Sequence, residues 1–116
     1  CFKEITSELA DDPNHVKVIL DEHSNAIYFS RAKVPYHRDH HEVSTYSGHL
    51  GIYGFTKKSL NDFCKLNSSK LENIEKLEQL RAIDNGHKIA MVKVISKSFG
   101  IDTQEDLNNA LRIFKK

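Results

Sequence analysis

Four stretches of the 116-residue chain carry side chains whose types and spacing could do chemistry. In His49-Leu50-Gly51-Ile52-Tyr53-Gly54-Phe55, strand alternation puts His49, Gly51, Tyr53 and Phe55 on one face. Gly51 has no side chain, so the alternation leaves a gap between an imidazole and a phenol that suits a polar ligand, and glycine inside a strand often marks such an approach. A core strand whose histidine and tyrosine find ordinary hydrogen bonds reads the same way. In Leu71 to Gly86, turning each residue by about 100° sets Glu78 between Leu71 and Ile74, and Arg81 between Ile74 and Leu77. An acid inside an apolar arc costs several kcal/mol unless it is paired or used. Glu78 is therefore either an i,i+3 partner of Arg81 or a binding group. In Gly100-Ile101-Asp102-Thr103-Gln104-Glu105-Asp106, Thr103 with Asp106, or Asp102 with Glu105, makes a capping box. Either register leaves one carboxylate over, and a carboxylate with substrate phosphates is a usual way to hold Mg²⁺. Last, His37-x-x-His40-His41 with Asp39 and Glu42 has the residue types of a metal site, but its spacing fits no rigid element. A solvated loop is the default there.

The elements that must position these groups are legible as patterns. Asp11-Asp12-Pro13-Asn14 is a turn signal after a polar opening segment. Val16, Val18 and Leu20 alternate, Ala26 to Arg31 is rich in strand formers, and Asp21 to Asn25 reads as the hairpin loop between them. A further strand is predicted over Thr45 to Phe55. It is followed by a short amphipathic helix from Lys57 to Leu66 with Leu60, Phe63 and Cys64 on its core face. Leu71 to Gly86 is predicted as one continuous helix, stopped by Asn85-Gly86. Lys88 to Ser96 is apolar on both sides and predicts a strand inside a sheet, and Leu107, Ala110, Leu111 and Phe114 mark a last helix opening at Asp102 or Thr103. Strands followed by helices indicate α/β.

Seventeen basic and 16 acidic residues, interspersed to a net charge of +1, mark no nucleic-acid or membrane surface. No apolar run approaches about 18 residues, and two cysteines suit a reducing cytosol better than a disulfide framework. With five glycines and no GxGxxG or Walker sequence, the chain offers no usual cradle for a nucleotide triphosphate. It opens on Cys1 and its single methionine is internal, which suggests a cut or partial protein.

Taken together, Asp12-Pro13-Asn14-His15-Val16-Lys17-Val18-Ile19-Leu20-Asp21, Ala26-Ile27-Tyr28-Phe29-Ser30-Arg31-Ala32, Val34-Pro35-Tyr36, the His49 to Phe55 run, Leu71 to Arg81 and Gly100 to Leu107 resemble the C-terminal half of the 3-deoxy-manno-octulosonate cytidylyltransferases, the CMP-Kdo synthetase family. Each block is weak alone. Their order and their span over nearly the whole chain make the resemblance specific. It implies a single partial domain over residues 1–116, the C-terminal half of a nucleotide-diphospho-sugar-transferase-like (Rossmann-like) three-layer sandwich. The half carrying the CTP loop and a metal-binding aspartate is expected to be missing, and the chain alone to be inactive.

The resemblance further implies a reaction in which the anomeric hydroxyl of Kdo attacks the α-phosphorus of CTP. Pyrophosphate leaves, and CMP-Kdo for lipopolysaccharide is formed. Carried over by motif, His49 and Tyr53 bind Kdo, Glu78 and Gln79 hold its hydroxyls, and Asp102 is a Mg²⁺ ligand. Ser30 and Arg31 border the sugar, Arg31 as partner for its carboxylate. A cytoplasmic homodimer is implied as well. Gly48 stands where the pattern has arginine, and Thr56 where a basic residue is common, so the pocket's charge differs in detail. A cytidylyltransferase for another acidic sugar, of sialic-acid type, and a non-catalytic sugar-binding module are the alternatives.

Overall fold

Phe2 and Ile5 are both buried although three residues apart, because each serves a different face of one sheet. A computed structural model describes residues 1–38, 45–95, 101 and 104–114. In chain order its elements are β1 (Phe2–Thr6), α1 (Ser7–Asp11), β2 (Lys17–Leu20), β3 (Ala26–Ser30), β4 (Thr45–His49), α2 (Lys57–Cys64), α3 (Lys70–Glu75), α4 (Leu80–Asp84) and α5 (Gln104–Phe114). The four strands form one sheet in the order β1-β4-β2-β3, with antiparallel pairing throughout. Phe2 lies opposite His49, and Lys17 opposite both Gly48 and Ser30.

The polar opening segment therefore holds a strand and a helix that no simple period announces. Thr6 caps α1, its hydroxyl accepting from the Leu9 amide. The β2–β3 hairpin forms as expected, with Asp21 accepting from the amides of His23 and Asn25 to close the loop. One face of the sheet contributes Phe2, Val18 and Phe29 to the main core, and Leu77, Leu80 and Met91 cover them. Full burial of a Phe or Leu side chain is worth roughly 1.5–3 kcal/mol, so Phe29 and Leu80, both without exposed surface, anchor the helical segment to the sheet. Ile5, Ala10 and Tyr46 make a small cluster beneath α1.

Four expectations are corrected. Strand structure ends at His49, not Phe55, and residues 51–56 run on without ladder bonds. Leu71 to Gly86 is two short helices: α3 ends where Lys76 takes the left-handed conformation (φ 55°, ψ 47°), and α4 begins after a turn at 77–79. Lys88 to Ser96 is not a strand inside the sheet over its described residues, 88–95. It makes single bridges at Lys93 to Phe2 and Ala90 to Asn25, with Val92 and Ile95 exposed. A ladder needs one neighbour over several residues, and this segment passes from the hairpin tip to β1 instead. Gly86 does end α4 in the left-handed region (φ 76°), as its sequence signal requires. Cys64 and Leu60 of α2 are exposed rather than buried. Among the described residues no helix is long and apolar enough to cross a membrane.

Candidate functional site

The turn between α3 and α4 carries the most informative geometry. Ser69 and Glu72 open α3 as a capping box, with Glu72 Oε2 accepting from the Ser69 amide at 3.0 Å and Ser69 Oγ accepting from the Glu72 amide at 3.2 Å. The same carboxylate is gripped by Arg81 of α4, which donates from Nε at 2.9 Å and from Nη2. Arg81 holds the Glu72 carboxyl down to about 2. Arg81 also stacks over Phe63, 5.5 Å from the ring centroid. Its main partner is thus Glu72; Glu78 lies 3.8 Å from it with a side chain that is 70% exposed. The helix break changes the register, and the acid expected inside an apolar arc points out into a cavity.

That cavity has a volume of about 540 Å³, within the range of small-molecule sites. Tyr53, Phe55 and Phe63 form an aromatic wall, and Glu78 and Gln79 supply polar groups opposite. Gln79 Nε2 is buried and has no hydrogen-bond partner among the described residues. A buried amide donor left unpaired costs about 1–3 kcal/mol, which sets Gln79 apart among the residues lining the cavity.

Tyr53 and His49 meet directly, Oη to Nε2 at 2.8 Å. The expected gap between them is therefore closed. His49 packs edge-on to Phe29, ring centroids 5.0 Å apart, and burial, helped by the nearby Cys1 ammonium, lowers its imidazole to about 4. Burial and the Glu78 carboxylate push the Tyr53 phenol up. Both are neutral near pH 7. A neutral imidazole buttressing a neutral phenol presents hydrogen bonding without charge at the cavity wall. His49 itself faces a second cavity of about 570 Å³, beside Gly51 and His15.

Ser30 and Arg31 belong to a different constellation, around Glu75. Ser30 Oγ donates to Glu75 Oε1 at 2.7 Å, the Arg31 amide donates to Oε2 at 3.0 Å, and the Tyr28 hydroxyl lies 3.4 Å from Oε1. Burial raises the Glu75 carboxyl, and these hydrogen bonds more than offset it, leaving it below its ordinary value. The Arg31 guanidinium donates to the carbonyls of Glu75 (2.8 Å), Pro13 (3.0 Å) and Lys76 (3.5 Å). Three of its five N–H donors are thus taken up by backbone carbonyls. Glu75 was not singled out by sequence, because a continuous helical wheel puts it on the polar edge. The expected site residues thus fall into two groups: Tyr53, Glu78 and Gln79 share a cavity with His49 behind the phenol, and Ser30 and Arg31 support the turn. Asp102 lies outside the described residues, as do Asp39, His40, His41 and Glu42; His37 packs edge-on to Tyr46. Among the described residues, no three His, Cys, Asp or Glu side chains come together to hold a metal.

Residues 1–89 match the family model described as cytidylyltransferase. The chain belongs to the cytidylyltransferase family. It is 57% identical over 115 residues to a 3-deoxy-manno-octulosonate cytidylyltransferase of Wolinella succinogenes, covering 97% of this chain and 47% of that protein. It is 53% identical over 117 residues to the same-named protein of Helicobacter pylori, covering 98% and 48%. Among solved structures it is similar to a CMP:2-keto-3-deoxy-manno-octonic acid synthetase complexed with CTP, with a TM-score of 0.86 at 33% identity over 97% of this chain and 46% of that one. This cytidylyltransferase chain thus has the mixed α/β fold of part of that synthetase, and spans about half the length of the curated relatives it matches.

Proposed function

We propose that this chain is the sugar-acid-binding part of a 3-deoxy-manno-octulosonate cytidylyltransferase. The whole protein would transfer CMP from CTP to 3-deoxy-D-manno-octulosonate with release of pyrophosphate, supplying lipopolysaccharide synthesis. The observation that carries this reading is the buried, unpartnered Gln79 amide beside the Glu78 carboxylate and the Tyr53 hydroxyl in one cavity. In the proposed site Gln79 donates to a sugar oxygen, Glu78 accepts from sugar hydroxyls, and Tyr53, backed by His49, supplies a neutral hydrogen bond. Such a set fixes the sugar's orientation so that its anomeric hydroxyl is presented to the α-phosphorus; positioning is the main requirement of phosphoryl transfer.

Mg²⁺ belongs to the proposal, with Asp102 as one ligand and nucleotide phosphates as others. It would neutralise developing phosphate charge. A cytoplasmic location and a homodimer complete it. The 116-residue chain alone is not expected to turn over. Glu78→Gln and Tyr53→Phe in the full-length enzyme test the site. Each should raise KM for the sugar acid about tenfold with KM for CTP little changed, the size of one lost hydrogen bond to a charged or buried group. A preference for N-acetylneuraminate over 3-deoxy-manno-octulosonate would overturn the substrate assignment.

A further inference from the structure

We propose that Glu75 is a positioning residue that sets where Glu78 and Gln79 stand, although it touches no substrate. Its role rests on the cavity being the sugar-acid site. Glu75 is not part of the cavity wall. Its side chain is nevertheless fully committed, to Ser30 Oγ and the Tyr28 hydroxyl on one oxygen and to the Arg31 amide on the other. Through its carbonyl it also receives Arg31 Nε, and the same guanidinium reaches Pro13 and Lys76. The end of β3 and the Asp12–Pro13 turn are thereby fastened to the last residue of α3.

Beyond that point the chain must enter a left-handed residue, Lys76, which a side chain makes unfavourable without support. Leu77 then drops into the core, and Glu78 and Gln79 follow at the cavity. On the far side the Glu72–Arg81 pair ties α3 to α4. The turn bearing the two sugar-facing groups is thus clamped at both ends, and Glu75 is the clamp that joins it to the sheet. Without it, the end of α3 is held to the sheet by the Arg31 guanidinium on the backbone carbonyls and by core packing at Leu71, Leu77 and Leu80, with no side-chain bond from α3 to β3 among the described residues. Angular error then reaches Glu78 and Gln79 first, while groups elsewhere in the enzyme keep their places.

The test uses the full-length enzyme. Glu75→Ala should raise KM for the sugar acid at least about tenfold while KM for CTP changes less than about twofold. Ser30→Ala, which removes the 2.7 Å bond to Glu75 and the 3.0 Å bond that Ser30 Oγ accepts from the Ala32 amide, should raise the same KM by about threefold. A purely structural role would lower the active fraction, and with it kcat, at unchanged KM. If Glu75→Ala does not fold, Ser30→Ala and Tyr28→Phe decide alone. The proposal is overturned if the folded variants leave the sugar KM unchanged, or raise both KM values equally. Glu78→Gln serves as the reference. If it raises the sugar KM and the Glu75 and Ser30 variants do not, only the positioning role fails; if it too has no effect, the sugar site itself is misplaced.

Discussion

Acidification should destabilise this fold in a window that His49 defines. A free imidazole titrates near 6.5, and in the folded chain burial against Phe29, with the Cys1 ammonium second, lowers it to about 4. The unfolded chain therefore takes up its proton first as pH falls. The stability tied to the neutral ring is complete above about 6.5, is lost steadily on the way down, and is gone near 4. Each pH unit across that gap is worth about 1.4 kcal/mol, so the full loss is on the order of 3 kcal/mol, a large share of a typical domain's stability. Glu72 contributes a separate loss below about 4.5, since Arg81 holds its carboxyl at about 2, so the two limbs are resolvable. The assay is urea unfolding at pH 7.5, 5.5 and 4.5, paired with an NMR titration of the His49 ring assigned through His49→Gln. A His49 midpoint near 6.5, or equal stability at pH 7.5 and 4.5, would refute the reasoning.

Further outcomes follow from local geometry. A Cβ on Gly48 would stand 2.6 Å from Ile5 Cγ2 in a buried position, so Gly48→Ala should cost about 1–3 kcal/mol in urea unfolding; an unchanged midpoint counts against it. Lys76→Gly should gain up to about 1 kcal/mol by relieving the left-handed residue, and a lowered midpoint would contradict that. The isolated chain, with Ile52, Phe55, Leu60, Val92 and Ile95 exposed, should self-associate in sedimentation at micromolar concentration; a monodisperse monomer would show that these faces need no cover.

The α/β class, the β2–β3 hairpin and the end of α4 at Gly86 were readable, because each rests on a local signal: alternation, an Asx-type loop, a glycine with positive φ. The break at Lys76 was not. Lysine carries no preference for the left-handed region, and the break is imposed by contacts made 45 residues away, at Ser30 and Arg31. The error propagated: on an unbroken helix Glu78 falls among leucines and Glu75 on the surface, whereas Glu78 is exposed and Glu75 is the residue with every oxygen engaged. Alternation sets Tyr53 and His49 on one face with a gap between them, and cannot say that they bond to each other once the strand has ended between them. β1 was missed because its buried positions, Phe2 and Ile5, do not alternate.

Helices of six and five residues are too short to persist in water on their own. The segment bearing Glu78 and Gln79 is therefore a mounted part, whose shape is dictated by its fittings and hardly at all by its own composition. For anyone wishing to redirect the proposed enzyme to a different acid sugar this is convenient. Both proposed contact residues are open to exchange, singly or together, while the residues that fix their bearing stay untouched one turn away.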